Sequence, residues 1–403
     1  MSDLKIENKY VLILAAIQFA HIVDFVVLMP LGPTLMLDFG ITPTQFGSVV
    51  SSYNFSAALS GLLFSTIADR FDRKRLLNIA MIGFILATIL CGLAPSFILL
   101  LSGRILTGLF GGVLNILVFA LVTDLVPYQR RGKAMGTVMA SFSVSSVVGI
   151  PIGLAIADAF SWHWTFFFIA FFSCFIAFWG YKVLPASPAT EVAKPVKQVL
   201  LRFLTMLKKT DYLRAYSLIL MSAMSMFLLI PFLSPYAVNN IGIETYQLKY
   251  MYFVAGLCTV VTARAIGKLT DSQGALKIFS MLALISIIPV WIYTHTGPMS
   301  FAAYLLLSAL FMTVVSGRMI PVMTMISEVP EVSERGTFMG LLNSIRSFGT
   351  ASATLFAGLM ISESSTGQLV GFESVGYITI ALTLISIFVA ARVYKLSKNL
   401  AIA

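Results

Sequence analysis

Hydrophobic residues along this chain form long blocks, and polar residues collect in short segments between them. Stretches of about 20 mostly apolar residues, broken by proline, glycine or charge, recur along its whole length. A helix of that length crosses the roughly 30 Å hydrocarbon core of a bilayer. The pattern therefore predicts twelve membrane-spanning helices. In chain order, these predicted spans 1 to 12 cover residues 10–36, 44–68, 76–94, 98–125, 134–157, 163–184, 213–238, 247–269, 276–295, 299–327, 337–362 and 373–394.

Two motifs appear in both halves of the chain. RRGKAMG at 130–136 recurs as ERGTFMG at 334–340, and the DRFD turn at 69–72 corresponds to DSQG at 271–274. Two prolines near the end of span 1 are likewise echoed by two in span 7. These pairs are all offset by about 200 residues in the same direction, which indicates an internal repeat. The predicted fold class is an all-α membrane protein with twelve transmembrane helices in two pseudo-symmetric six-helix bundles.

The spacing of the spans divides the chain into three parts. We expect an N-terminal six-helix bundle at 1–184, a cytoplasmic linker at 185–211 and a C-terminal six-helix bundle at 212–403. From Val196 to Leu207, apolar residues recur at helical spacing among lysines and arginines. That pattern predicts an amphipathic helix on the inner leaflet, with a solvated charged linker as the alternative.

Composition removes the soluble classes from consideration. Hydrophobic residues make up 58% of the chain and charged residues 11%, against roughly 25% charged in an ordinary soluble domain. The mean hydropathy is +0.93. A soluble fold has too little interior to hide that much apolar surface.

The net charge is +10, and the distribution of the basic residues indicates how the chain is oriented in the membrane. With the N-terminus inside, the external loops hold only Lys249, while the internal loops and the C-terminal tail hold twelve basic residues. Those residues are Arg70, Arg73, Lys74, Arg75, Arg130, Arg131, Lys133, Lys277, Arg335, Arg392, Lys395 and Lys398. This positive-inside asymmetry predicts a multi-pass protein of the cell inner membrane with both termini in the cytoplasm. It also explains the basic balance without nucleic acid, which we reject as a partner.

The loop between spans 2 and 3 carries the most specific motif. STIADRFDRKR at 65–75 resembles the loop signature of the major facilitator superfamily, with Ser65 and Asp72 standing where that family has glycine. The resemblance implies that Asp69 docks near the start of span 11 and latches one conformation. The matching latch residues are Asp69, Arg70, Arg73 and Lys74. Simple topogenic charge is the alternative, and it accounts for the basic residues but not for Asp69.

A second motif indicates a branch of that family. VGIPIG at 148–153 in span 5 partly resembles the signature of drug:proton antiporters, through Gly149, Pro151 and Gly153. GRILTGLFGG at 103–112 in span 4 is similar to another family element that contains an arginine. These resemblances imply a secondary transporter of the drug:proton antiporter type.

Span 1 contains an acidic residue in an otherwise apolar run. An ionised carboxylate at Asp24 costs at least ~2.5 kcal/mol in the middle of a membrane helix. With a rise of 1.5 Å per residue from residue 10, Asp24 lies about 21 Å from the inner face, and Arg104 in span 4 falls at the same depth. We therefore expect the two to pair, and protonation of Asp24 would free Arg104. A buried structural ion pair without a proton role is the alternative.

Three polar residues form one stripe on span 1. Gln18, His21 and Asp24 fall within about 120° on a helical wheel. His21 titrates near neutrality and is a candidate to share the proton of Asp24. A hydrogen-bonded core histidine is the alternative.

Polar or aromatic residues at mid-depth are candidates for a substrate pocket. Arg346 falls about 14 Å into span 11 with no acidic residue at similar depth in its own half, so it either touches an anionic group of the substrate or snorkels. We assign Arg318, near the inner end of span 10, to the gate. The pocket candidates are Gln18, Tyr53, Asn54, Asn115, Asn343 and Arg346, each of which could instead satisfy helix contacts.

Together these features predict a secondary active transporter. The leading hypothesis is proton-coupled efflux, by antiport, of small amphiphilic or organic compounds through alternating access. The alternative is a proton-coupled symporter or facilitator of a nutrient such as a sugar or an organic acid. The expected partners are a small-molecule substrate, protons and membrane lipids, and we expect a monomer.

An enzyme is not expected. The sequence has no H-E-x-x-H motif, its three histidines are far apart, and it has no Walker loop for ATP. We expect no metal site and no cofactor.

Overall fold

The computed structural model describes residues 2–67, 71–186, 196–331 and 334–402. Within these ranges the chain is helical, apart from turns, loops and one short hairpin, as the sequence predicts. The α-helices before the linker are Ser2–Val27, Gly32–Phe39, Pro43–Ile67, Arg73–Gly92, Phe97–Leu125, Tyr128–Val144, Ile150–Ala159 and Trp162–Val183. The linker holds Val196–Met206. The later helices are Thr210–Phe227, Leu233–Tyr236, Leu248–Gln273, Ala275–His295, Phe301–Gly317, Met319–Ser327, Arg335–Met360 and Phe372–Ile402.

Helices occupy the positions of all the predicted spans, but not all of them are apolar enough to be assigned to the membrane. In the described part of the chain, 10 helices are long and apolar enough to cross a bilayer. The helices of spans 2 and 11, Pro43–Ile67 and Arg335–Met360, are not among them. Both are rich in serine, threonine and glycine, which lowers their hydropathy and suits helix-to-helix contact. The count of twelve membrane spans therefore stays a prediction.

Prolines interrupt spans 1 and 7. The helix of span 1 stops at Val27 and resumes at Gly32, because Pro30 and Pro33 have no N–H to donate to the preceding turn. Span 7 is broken in the same way around Pro231, where a 3₁₀ turn connects two helices. The repeated prolines of the sequence thus mark repeated breaks.

Span 5 contains a π-helical turn and span 10 a full break. Ser145–Gly149 is π-helical just before Pro151, a wider turn that accommodates the carbonyl the proline cannot satisfy. In span 10 the helix ends at Gly317 and a new one begins at Met319. Pro321 cannot donate to the Gly317 carbonyl, so the break falls at Arg318.

The structure groups the chain into two compact units. Unit 1 comprises Met1–Leu28 and Ser52–Leu200, and unit 2 comprises Met29–Ser51 and Leu201–Ala403. The sequence places 29–51 in the N-terminal bundle, whereas in the structure these residues are grouped with unit 2. The predicted division into 1–184, 185–211 and 212–403 stays a prediction.

Contacts of small residues explain why 29–51 belongs to unit 2. The Thr44 hydroxyl donates a 2.7 Å hydrogen bond to the Gly358 carbonyl. A Cβ at Gly47 would lie 3.1 Å from the Thr354 carbonyl, so the two backbones approach as closely as a glycine permits. Phe46 meets Phe232 edge to face, with ring centroids 5.9 Å apart.

A hairpin before the last helix is absent from the predicted pattern. Strand Ser362–Glu363 pairs antiparallel with strand Leu369–Val370. The side chain of Asn240 forms two hydrogen bonds with the second strand. Its Nδ2 donates to the Leu369 carbonyl and its Oδ1 accepts from the Leu369 N–H, each at 2.9 Å. The hairpin is thus fixed to the end of span 7.

The predicted linker helix is present as Val196–Met206. Leu201 and Leu204 are 51% and 50% exposed, while Phe203 is buried. An exposed leucine row beside Arg202 is typical of an amphipathic helix.

Candidate functional site

The structure places Asp24 and Arg104 in direct contact within unit 1. Nη1 of Arg104 donates to Oδ2 of Asp24 at 2.6 Å, and both side chains are fully buried. The Thr88 hydroxyl lies 3.4 Å from the other carboxylate oxygen and donates to it. Spans 1, 3 and 4 therefore meet at one buried ion pair.

Tyr53 of span 2 adds an aromatic ring to this pair. The Arg104 guanidinium carbon lies 4.8 Å from the centroid of the Tyr53 ring, and the ring stacks on Phe25 at 4.9 Å. A desolvated guanidinium over an aromatic face is stabilised by roughly 2 kcal/mol. Arg104 thus has a charged partner and an aromatic one.

Glycines on span 4 let Tyr53 approach this closely. A Cβ at Gly108 would overlap the Tyr53 carbonyl and the Ser56 hydroxyl, and a Cβ at Gly111 would overlap the Tyr53 hydroxyl. A Cβ at Gly112 would meet span 2 one turn further along. The glycine-rich run in span 4 is therefore a notch that receives span 2.

His21 is linked to Tyr53 rather than to Asp24. Its Nδ1 lies 3.3 Å from the Tyr53 hydroxyl. One turn further, the Gln18 amide donates to Asn115 Oδ1 at 2.9 Å. Gln18, His21 and Asp24 are all buried, so the polar stripe of span 1 faces the interior of unit 1.

Several buried polar atoms around this stripe have no partner among the described residues. They include Nε and Nη2 of Arg104, Nε2 of His21, Oε1 of Gln18 and Nδ2 of Asn54. An unsatisfied buried donor or acceptor costs about 1–3 kcal/mol, and such groups in proteins bind water or a ligand. The stripe therefore offers polar groups that water or a substrate can bind.

The span 5 motif packs directly against span 1. A Cβ at Gly149 would overlap Val23, and one at Gly153 would lie 2.6 Å from Val27. Val23 adjoins Asp24 in sequence. The motif thus sets the distance between span 5 and the helix that carries the carboxylate.

The predicted latch is described only in part, since Asp69 and Arg70 lie outside the described residues. Arg73 forms an ion pair with Asp124 at the end of span 4. The Lys74 ammonium lies 5.5 Å from the centroid of the Tyr181 ring.

Asp72, which stands where the family signature has glycine, caps the helix that follows it. Its φ is −59°, and its carboxylate accepts from the Arg75 N–H at 2.7 Å. It is the N-cap of the third span, a position that favours aspartate.

The remaining pocket candidates lie in unit 2. Asn343 is half-buried and Arg346 is exposed on the helix of span 11. Neither side chain has a hydrogen bond or ion pair with another described residue.

Arg318 is the residue whose setting sequence reasoning missed. It is 3% exposed, and it donates from Nη1 to Thr383 Oγ1 at 2.9 Å and from Nη2 to Ser225 Oγ at 3.4 Å. Its Nε lies 3.5 Å from the Val315 carbonyl. No carboxylate in the described part of the chain pairs with it. The sequence offered one signal for this setting, an arginine inside an apolar run and shortly before a proline.

Curated relatives include transporters from Bacillus subtilis (strain 168). The uncharacterized MFS-type transporter YceJ is 27% identical over 368 residues, which cover 90% of this chain and 92% of YceJ. Multidrug resistance protein 3 is 34% identical over 123 residues, which cover 30% of this chain and 24% of that protein.

Solved structures share the fold. A bacterial homologue of the human lysosomal transporter Spinster, inward-facing and unoccupied, has a TM-score of 0.73 at 17% identity, covering 98% of this chain and 97% of that one. The nucleoside transporter NupG has a TM-score of 0.77 at 11% identity, covering 96% and 100%. The family model of the Major Facilitator Superfamily matches residues 14–349 and 215–400. This chain is therefore a multi-pass membrane protein of the Major Facilitator Superfamily of transporters.

Proposed function

We propose that this protein is a proton-coupled exporter of small amphiphilic or organic compounds that works by alternating access. The observation that carries the proposal is the fully buried ion pair of Asp24 and Arg104. A charge pair inside a membrane helix bundle is costly to keep, and in transporters such residues commonly serve as proton relays.

Protonation of Asp24 changes the balance of this pair. A neutral carboxyl no longer compensates the Arg104 charge, and an unpaired buried charge is destabilising by about 3–5 kcal/mol. Arg104 is then surrounded by the Tyr53 ring and by buried polar atoms of span 1 that have no hydrogen-bond partner among the described residues. A conformation that offers Arg104 water or another partner becomes favoured, which links proton binding to movement.

His21 is proposed as the second proton-carrying group. Its contact with Tyr53 places it one turn from Asp24 along the buried stripe. Gln18, Tyr53, Asn54 and Asn115 of unit 1 are proposed to line the substrate pocket. Asn343 and Arg346 of unit 2 are proposed for the same role.

The antiport direction is supported by the span 5 motif. Gly149 and Gly153 leave only backbone between span 5 and the valines that flank Asp24. A glycine surface of this kind allows packed helices to slide without a steric barrier. The local similarity to a protein named for multidrug resistance agrees with export.

The latch and the topology complete the proposal. Asp69, Arg70, Arg73 and Lys74 are proposed to hold one conformation at the cytoplasmic side. The inner membrane, with both termini in the cytoplasm, is the location that the basic loops favour.

A symporter or facilitator of a nutrient such as a sugar or an organic acid is the second candidate. The observation in its favour is that VGIPIG lacks the full glycine-rich form of the antiporter signature.

The sign of proton movement separates the two candidates. Purified protein is reconstituted into vesicles with an acid interior and an internal pH dye, and a panel of amphiphilic compounds is added outside. An antiporter raises the internal pH as a compound enters, because a proton leaves in exchange. A symporter lowers the internal pH under the same conditions, and that result would overturn the proposed export function.

A further inference from the structure

Unit 2 contains a buried positive charge that has no negative partner in the described part of the chain. Arg318 is 3% exposed, and its three side-chain nitrogens contact two hydroxyls and one carbonyl, all neutral. None of the ion pairs in the described residues includes it. Buried charges in proteins are normally paired, so this guanidinium is a strong candidate to receive an anion.

The hydroxyls around Arg318 come from two helices packed beside span 10. Ser225 belongs to span 7 and Thr383 to span 12, and both are almost fully buried. A guanidinium has five N–H donors, and three acceptors do not exhaust them. The remaining donors suit an oxygen anion, which a guanidinium can bind with two parallel hydrogen bonds.

Two further hydroxyls continue the same helix faces. Ser222 precedes Ser225 by one helical turn, and Thr379 precedes Thr383 by one turn. They are 5% and 1% exposed, and neither hydroxyl oxygen has a partner among the described residues. A guanidinium surrounded by hydroxyls, with no carboxylate, has the donor set of an anion site rather than of a cation site.

The break in span 10 gives this site a route to open. Arg318 is the residue between helices Phe301–Gly317 and Met319–Ser327. A helix whose hydrogen bonding is interrupted by a proline bends at that point more easily than an intact one. The arginine therefore sits at the point where span 10 can swing.

We propose that Arg318, with Ser225 and Thr383, binds the carboxylate of an anionic amphiphilic substrate. This inference rests on the proposed function and deepens it, because it assigns the transported compound to the organic monocarboxylates. Binding is coupled to a bend in span 10, so the measured affinity is lowered by the fraction of time that the site is closed.

The test measures binding in detergent and needs no proton gradient. Sodium benzoate serves as the monocarboxylate probe, and benzamide, its neutral counterpart of nearly the same shape, serves as the ligand control. A ligand that binds only the folded protein raises its melting temperature. We expect near-saturating benzoate to raise the melting temperature of the wild type by about 2 °C or more, and benzamide to leave it unchanged.

Substitutions assign that shift to Arg318. Arg318→Met keeps an unbranched side chain but removes the guanidinium group and its charge, and it should abolish the benzoate shift. Arg318→Lys keeps the charge but not the two-pronged geometry, and it should weaken benzoate binding by about tenfold. Arg264→Met is the matched control, because Arg264 is an exposed arginine of span 8, and it should keep the full shift.

Three outcomes would overturn the proposal. The first is no benzoate shift in the wild type, and the second is an unchanged shift in both Arg318 variants. The third is an equal shift with sodium chloride at the same concentration, which would assign the site to an inorganic anion. Benzoate binding is measured without a proton gradient, so absence of the benzoate shift speaks only against this site, whereas the direction of the internal pH change in vesicles speaks only to proton-coupled export.

Discussion

Among the described residues, each unit of the molecule buries one arginine, and the two are compensated in opposite ways. Arg104 in unit 1 donates to the Asp24 carboxylate at 2.6 Å and lies over the Tyr53 ring. Arg318 in unit 2 contacts only neutral oxygens, those of Thr383, Ser225 and a backbone carbonyl. A carboxylate loses its charge when it binds a proton, whereas a hydroxyl has no charge to lose. Under the two proposals made above, unit 1 responds to a proton and unit 2 to an incoming anion.

The largest expected effect is the loss of the carboxylate in unit 1. Asp24→Asn leaves Arg104 buried without a counter-charge, which should lower the free energy of unfolding by about 3–5 kcal/mol. Chemical denaturation in detergent measures it. The matched control is Asp158→Asn, an exposed aspartate at the end of span 5, which should change the same quantity by less than about 1 kcal/mol, the most that an exposed ionic contact contributes. A loss equal to that of the control would mean that the pair does not hold unit 1 together.

The next effect concerns the glycine notch that positions Tyr53. Gly111→Leu places a side chain where the Tyr53 hydroxyl lies, so overpacking should destabilise the protein by about 1–3 kcal/mol. Gly136→Ala is the control, since a Cβ there meets nothing within 4 Å. Thermal unfolding in detergent compares the two. Equal melting temperatures for both variants would contradict the close approach of spans 2 and 4.

Removing the arginine of unit 2 should change the free energy of unfolding less than removing Asp24, and it can raise rather than lower that free energy. Arg318→Met deletes an uncompensated charge, and replacing buried charges by apolar side chains is often neutral or stabilising. We expect a free energy of unfolding within about 1 kcal/mol of the wild type, or higher. A loss as large as that of Asp24→Asn would show that the two arginines are structurally equivalent, and the comparison would fail.

The smallest effect comes from an ion pair in unit 2 between the starts of helices Thr210–Phe227 and Arg335–Met360. Lys209 Nζ donates to Glu334 Oε2 at 2.7 Å, and the Tyr212 hydroxyl donates to the same oxygen. The hydrogen bond from Lys209, followed by that from Tyr212, lowers the pKa of Glu334. The hydrogen bond to Glu334 raises the pKa of Lys209. Both groups are therefore charged at neutral pH.

The sign of the pH dependence follows from these directions. The stabilisation by Glu334 is present above its unfolded-state pKa and is lost as the pH falls through its lower folded-state pKa. The Lys209 contribution is lost only as the pH rises through its raised pKa. Lys209→Met should therefore cost less than about 1 kcal/mol at neutral pH and nothing in acid. Melting temperatures at the two pH values check this. A deficit in Lys209→Met that persists in acid would contradict the assignment.

The contact of Asp24 with Arg104 follows from arithmetic on straight helices, because depth depends only on the rise per residue. The hydrogen bond from Gln18 to Asn115 starts from the same polar stripe of span 1 that contains Asp24. The contact of Tyr53 with Arg104 does not follow, because it depends on how span 2 rotates and how deeply it enters the glycine notch of span 4.

The hydrogen-bond partners of Arg318 could not be predicted from the sequence either. Its hydroxyl partners lie 65 and 93 residues away in the chain, and serine and threonine are too common in membrane helices to single out. The prolines of span 1 indicate an internal repeat, but they indicate neither the break in the helix nor the neighbour that 29–51 contacts after it. The short hairpin lies in a polar loop whose strands have only two residues each, too few for a period-2 pattern.

The most direct test of the account is transport by Asp24→Asn against a proton gradient. Wild type, Asp24→Asn and Asp158→Asn are reconstituted into vesicles with an acid interior, and accumulation of the best-transported compound of the amphiphile panel is measured. The account predicts accumulation in the wild type and in Asp158→Asn, and at most equilibration across the membrane in Asp24→Asn. Accumulation by Asp24→Asn at the wild-type level would show that the buried carboxylate does not couple protons to transport.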